Sequence, residues 1–326
     1  MKPLQMPMFS PETEWIPPTH LPDLKDHKEI AIDLETRDPG LKSSGSGSVN
    51  GNGEVVGIAV AVEGWSGYFP IAHEGGGNMD RALVLDWFEE VLHTDATKIF
   101  HNAMYDVSWI RSMGFYIRGG VIDTLIAASL IDENRWGYAL NALGKQYVGV
   151  GKNEKILNDA AKSWGIDPKA DMWRLPAPLV GEYAEQDAVL TLRLWHALQR
   201  EISSQDLWDV FNLETNLFPC LIDMKFKGVR VDAEKANLLK QELIKEEKNI
   251  YRGIRKLIGF DVEIWAAASI AKAFDEVKLP YDRTEKGAPS FTKNFLATHP
   301  HELPKAIANA REINKAHTTF IDTIIK

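Results

Sequence analysis

The stretch Ile30-Ala31-Ile32-Asp33-Leu34-Glu35-Thr36 limits the fold of this chain more than any other. An apolar, β-branched run that ends in acid, apolar residue, acid reads as a buried strand. Side chains alternate along a strand, so Asp33 and Glu35 leave on one face, about 7 Å apart, while Leu34 takes the other. Like charges ~4 Å apart repel by roughly 4 kcal/mol at an effective dielectric near 20, so a cation is expected among such buried acids. Arg37 is the nearest base, and strict alternation points it to the same face. A strand-end salt bridge to Arg37 and a metal site are both open readings of this stretch.

A chain of 326 residues has room for two domains. The single cysteine, Cys220, excludes an internal disulfide framework and a Cys-rich zinc site, and fits a reducing compartment. The prolines and acids of residues 1–15 do not make a signal peptide, and no stretch approaches the ~20 apolar residues of a membrane span. A cytoplasmic location, with no membrane partner, is expected. Charge is uneven: residues 1–203 carry 18 Lys+Arg against 28 Asp+Glu, residues 204–326 carry 19 against 18. The acidic first part is no simple phosphate-gripping surface, but it suits a nuclease whose carboxylates hold cations. Sustained contacts to a nucleic-acid backbone are expected in the second part.

Residues 1–27 are Pro-rich and polar, predicting an extended arm. The Gly/Ser/Asn stretch at 41–54 reads as a loop whose glycines do not match a dinucleotide fingerprint. Residues 54–62 and 67–71 predict two more strands, 98–100 a short buried one, and 81–93 a helix. Asn102, a favoured N-cap, predicts a helix to Met113, which puts Asn102 and Asp106 on one face. Residues 121–131 and 139–147 read as helices, and Pro178 opens a long one to about Ile202 that carries Tyr183 and Asp187 four apart. This order predicts an α/β unit, a mixed sheet flanked by helices. From 204 onward, periodic helices dominate at 207–226, 233–258, 270–277 and 303–325. The expected organisation is an arm at 1–27, an α/β domain at 28–203 and a helical region at 204–326. His73, His101 and His196 have no ligand-like spacing, Asp123 is not taken as a ligand, and Trp87, Trp109 and Trp195 read as core.

Taken in order, Asp-x-Glu on a strand, Asn-x-x-x-Asp after a strand and Tyr-x-x-x-Asp on a helix resemble the DEDD superfamily of 3′–5′ exonucleases over residues 30–195. The Tyr four residues before the last Asp marks the Tyr-bearing branch; position 182 is Glu, so the His-bearing branch is not matched. The resemblance implies a ribonuclease H-like fold and two divalent cations, Mg²⁺ or Mn²⁺, held by Asp33, Glu35, Asp106 and Asp187. Hard cations of this kind take carboxylate oxygens and water. It also implies that Tyr183 orients the attacking water and that Asn102 binds the terminal nucleotide.

Residues 221–232, the Thr284–Ser290 segment and Arg311-Glu312-x-x-Lys315 resemble the segment that leads into the thumb of family A DNA polymerases, whose palm and fingers have no counterpart here. By that resemblance the chain is the exonuclease and thumb-like part of such a polymerase, of phage or bacterial type. It would act on single-stranded DNA and primer–template 3′ ends, with palm and fingers in cis or on a separate chain. Long helices bearing Lys245, Lys248, Arg252, Arg255 and Lys256, with Lys286, Arg311 and Lys315, suit a clamp on the duplex backbone. Phe320, Ile321, Ile324 and Ile325 are expected to form an apolar docking patch for the palm. An RNA-trimming exonuclease of the same branch and an inactive DNA-clamping subunit are the alternatives.

Overall fold

In the computed structural model, which describes residues 11–325, the chain divides into two compact units, residues 1–228 and 229–326. The first is built on a five-stranded mixed sheet. Its strands are β1 (Glu29–Arg37), β2 (Glu54–Val62), β3 (Trp65–Pro70), β4 (Thr97–Phe100) and β5 (Val121–Asp123), in the order β3-β2-β1-β4-β5. The first three form an antiparallel meander, and β4 and β5 pair parallel on the other side of β1. Residues 55–62 of β2 are buried at every position, so this strand is covered on both faces.

The two faces differ in side-chain size. Ile30, Ile32, Ile58, Val60 and Phe69 pack with α1 (Arg81–Leu92) and α2 (Ala103–Ser112). The other face offers Ala31, Ala59 and Ala61, and these small residues let a long helix lie close. That face is covered by α3 (Thr124–Ile131) and by α5 (Gly181–Ser204), with α4 (Lys155–Trp164) packed alongside. Glu29, at the start of β1, accepts hydrogen bonds from Trp195 Nε1 (3.1 Å) and Gln199 Nε2 (3.2 Å) and bonds His196 Nε2 (2.7 Å), which fixes α5 along the strand. At the other end Trp15 packs over Gly181, where an added Cβ would lie 2.2 Å from the indole; no larger residue fits. The arm is therefore tied down at Trp15, whose Nε1 donates to Glu185 at 2.9 Å.

Several expectations change on inspection. Val121–Asp123 is a fifth strand, not the start of a helix, because it completes the parallel edge beside β4. The turn Ala177–Leu179 precedes the long helix, which begins at Gly181 rather than at Pro178. Residues 140–148 form one α-helical turn followed by a π turn, and the polar stretch 150–177 contains α4. The division at 203/204 moves to Gly228/Val229, because α6 (Trp208–Lys227) packs into the first unit. Phe211 stacks on Trp195 at 5.5 Å, and Phe218 and Ile222 enter the core on the α1–α2 side.

The second unit is helical, with α7 (Ala233–Ile258), α8 (Ala267–Glu276) and α9 (Glu302–Lys315) around Ile254, Ile258, Ile270, Phe274, Leu303 and Ile307. Asp232 caps α7 by accepting the Lys235 N–H at 2.9 Å, and Gly259 ends it at φ 83°. Among the described residues no helix is long and apolar enough to cross a membrane.

Candidate metal centre

The small-residue face of β1 carries the acids. Asp33 and Glu35 follow Ala31 on it, and α5 lies opposite with Tyr183 and Asp187 one turn apart. Carboxylate oxygens of Asp33, Glu35 and Asp187 all come within 4.8 Å of one another. Asp106 joins from the strand's edge: its Oδ1 accepts the Leu34 N–H at 3.0 Å, between the two strand acids. The structure thus gathers the four acids from β1, α2 and α5.

Arg37 is not their counter-ion. A bulge between Glu35 and Thr36 breaks the alternation, and Arg37 bonds Glu54 Oε1 at 3.1 Å and approaches the Trp173 ring. The cation that does reach the cluster is Lys152, which the sequence did not single out. Its Nζ is 2.5 Å from Asp187 Oδ2 and 3.4 Å from the Tyr183 hydroxyl.

Electrostatics follow from burial. Asp33 is pushed up to about 7, first by desolvation and then by Asp187, against the pull of Lys152. Burial, then the neighbouring acids, also raise Glu35 well above the ordinary carboxylate range; burial and Asp33 do the same for Asp106. Asp187 is raised by burial although Lys152 opposes it. Repulsion of this kind is relieved by a bound cation, as at other functional acid clusters. Asp187 Oδ1 is buried with no hydrogen-bond partner among the described residues. An orphaned carboxylate oxygen in an all-oxygen donor set fits a divalent cation, which Asp33, Glu35 and Asp187 could hold with Asp106 beside them. Tyr183, held above its ordinary value by burial and then by Glu35, Asp187 and Asp33, stays protonated and keeps a proton to donate.

Asn102 occupies the N-cap position of α2 but makes no capping bond with its side chain; it takes a left-handed φ of 67° and is exposed. Asp123 caps instead. Its Oδ1 accepts the N–H groups of Asn102 (2.9 Å) and Leu125 (2.8 Å), and its Oδ2 that of Ala103 (2.8 Å), so Asp123 is a backbone anchor. His73 and His101 are lowered to about 4, chiefly by burial, and bond Tyr68 and Thr124 respectively. Trp87, Trp109 and Trp195 are core residues.

In the second unit Lys245, Lys248, Arg252 and Lys256 make an exposed stripe at helical spacing along α7. Arg255 is exposed but pairs with Asp261 at 3.1 Å, and Lys286 and Lys315 are exposed. Arg311 is partly engaged within its unit: its guanidinium donates to the carbonyls of Ile264 (2.6 Å) and Phe291 (3.0 Å) and lies against Trp265. Of the expected apolar patch, Phe320 and Ile324 are exposed, whereas Ile321 is buried in its own unit.

A family model described as 3′–5′ exonuclease matches residues 17–203. A DNA-directed DNA polymerase of Pseudomonas phage M6 is 34% identical over 98% of this chain and 50% of its own length. The DNA polymerase DpoZ of Salmonella phage PMBT28 is 29% identical over 92% of the chain and 48% of its length. DNA polymerase I of Pseudomonas aeruginosa is 27% identical over 93% of the chain and 33% of its length. The chain therefore spans about half or less of these relatives. Among solved structures, the POL domain of Pol1 from M. smegmatis in complex with DNA primer–template and dNTP has a similar fold, with a TM-score of 0.64 at 15% identity over 91% of this chain and 46% of that one.

Proposed function

The chain belongs to the 3′–5′ exonuclease family of family A DNA polymerases, and from that premise we propose that it removes nucleotides from DNA 3′ ends by two-metal-ion hydrolysis, as the proofreading part of such a polymerase. The observation that carries this reading is the convergence of Asp33, Glu35 and Asp187 within 4.8 Å, with Asp106 at their edge. Two divalent ions bound there would supply an activated water and offset charge on the leaving 3′ oxygen.

The protein's own part is placement. The sheet fixes Asp33 and Glu35, and the long helix fixes Asp187 against them. Tyr183, protonated at neutral pH, donates a hydrogen bond that orients the attacking water rather than taking its proton. Asn102, exposed just after β4, would hydrogen-bond the terminal nucleotide. The α7 stripe of Lys245, Lys248, Arg252 and Lys256, with Arg255, Lys286 and Lys315, would meet phosphates of the duplex. Palm and fingers, in cis or on a separate chain, are the proposed partners, in keeping with relatives about twice the matched length or more.

The test is degradation of 3′-labelled single-stranded DNA, a mismatched primer–template and RNA, in Mg²⁺ and in EDTA, by the parent and by Asp187→Ala. Both DNAs should shorten in Mg²⁺ with the parent alone. Preference for RNA would favour the RNA-trimming alternative, and an inert parent would leave only a DNA clamp.

A further inference from the structure

Lys152 is not one of the residues that the sequence motifs pick out, yet the fold takes trouble to deliver it. The chain turns at Gly149, with φ 76°, and then runs back along α5. Three backbone groups in a row are fastened there. Gly151 O accepts Gln186 Nε2 at 3.2 Å, Lys152 N donates to Asn141 Oδ1 at 3.0 Å, and Asn153 N donates to Gln186 Oε1 at 2.5 Å. Asn153 Nδ2 adds a weaker bond to Glu182 at 3.4 Å. Gly151 fits without a side chain, since a Cβ would lie 2.5 Å from Lys145 Cε and 2.8 Å from Asn141 Oδ1.

Gln186 directly precedes Asp187, and Glu182 directly precedes Tyr183. The loop is therefore bolted to the very turns of α5 that present the two functional side chains. From that base the Lys152 side chain crosses the Tyr183 ring, with Nζ 5.1 Å from its centroid, and ends on Asp187 Oδ2. The ammonium and the carboxylate keep only 12% and 4% of their side-chain surface, so salt screens this pair far less than an exposed one. A long, rotamer-rich side chain is held in one place at an entropic cost that an incidental contact would not repay.

We propose that Lys152 is a positioning residue, a tethered counter-cation that holds Asp187 and Tyr183 in place before a divalent ion arrives and competes with that ion for Asp187. One positive charge does not neutralise four acids, so the cluster still attracts a divalent ion while the ammonium is present. Entry of the ion loosens the ammonium from Asp187 Oδ2, and the flexible stem lets it withdraw without moving the loop. The inference rests on the reading of the four acids as a metal site.

The experiment is Mn²⁺ binding to the 326-residue protein, read by electron paramagnetic resonance of the free ion, for the parent, Lys152→Met and Lys152→Arg. Lys152→Met should bind its first Mn²⁺ about tenfold more tightly than the parent, as expected when a near cation is removed. Lys152→Arg, which keeps the charge, should stay near the parent. The melting temperature of Lys152→Met should fall in EDTA and recover on adding Mn²⁺. Gln186→Ala, which unfastens the loop and keeps the ammonium, should shift Mn²⁺ binding in the same direction by a few fold, and decides the matter if Lys152→Met does not fold. Mn²⁺ binding by Lys152→Met that is equal to or weaker than the parent's overturns the inference while leaving the metal site intact. A parent that takes up no Mn²⁺ overturns the metal-site reading and the inference with it.

Discussion

Replacing Asp33 by Asn should stabilise the metal-free protein, and by an amount that depends on pH in a defined direction. The Asp33 carboxyl moves from an ordinary 3.8 up to about 7 on folding, through burial first and the Asp187 charge second. Because the folded value is the higher one, the folded state holds its proton longer than the unfolded chain. Stability of the parent therefore falls as pH rises from about 4 through 7, and the full penalty is present above 7. A shift of about three units corresponds to roughly 4 kcal/mol, at ~1.4 kcal/mol per unit. Asp33 keeps part of its surface in water, which screens the repulsion, so about 2 kcal/mol is the expected net effect. Urea unfolding in EDTA measures it: Asp33→Asn should exceed the parent by about 2 kcal/mol at pH 8.5 and by about a quarter of that at pH 4.5. Mn²⁺ should reverse the order, since a ligand at a hundred times its dissociation constant adds ~2.7 kcal/mol to the protein that binds it. A variant less stable than the parent at pH 8.5 in EDTA, or a difference that ignores pH, would refute the reasoning.

Tyr183→Phe should slow single-turnover hydrolysis of single-stranded DNA by about 10²-fold with Mn²⁺ affinity unchanged, because it removes a donor and no ligand; turnover at the parent rate would take Tyr183 out of the reaction. Asp123→Ala should cost about 2 kcal/mol in urea unfolding, as three N–H groups lose their acceptor, while Mn²⁺ affinity stays at the parent value. A loss of Mn²⁺ binding in that variant would make Asp123 a ligand instead of an anchor.

What was legible in the sequence was what periodicity governs. Alternation placed Asp33 and Glu35 on one face, and the four-residue helical repeat paired Tyr183 with Asp187. Alternation failed one step later, where the bulge after Glu35 turned Arg37 toward Glu54. Lys152 was hidden for a different reason: its place depends on Asn141 and Gln186, distant in sequence and not part of any repeat. The strand Val121–Asp123 is too short for its own pattern, and only the ladder with β4 distinguishes it from the helix that follows. The bonds of Arg311 to the Ile264 and Phe291 carbonyls were hidden because these partners lie 47 and 20 residues away. The place of α6 in the first unit was likewise set by Phe211, Phe218 and Ile222, whose spacing alone does not say which core receives them.

The hydrogen bond from Leu34 to Asp106 bears on how many oxygens the cluster could offer an ion. The ladder between β1 and β4 ends at Ala31, so the Leu34 N–H finds its acceptor in a side chain. Asp106 Oδ1 is thereby shared with the backbone, so that Asp106, were it a metal ligand, would be one of low denticity. Asp187 in turn has one oxygen, Oδ1, unclaimed among the described residues. Single-oxygen donors suit an ion that demands six short bonds in octahedral array and keeps several waters; a larger ion with six to eight ligands gains most from chelating carboxylates. Were the cluster to hold a divalent ion, the bond that finishes the sheet's edge would favour one that takes single oxygens, as ions the size of Mg²⁺ and Mn²⁺ do.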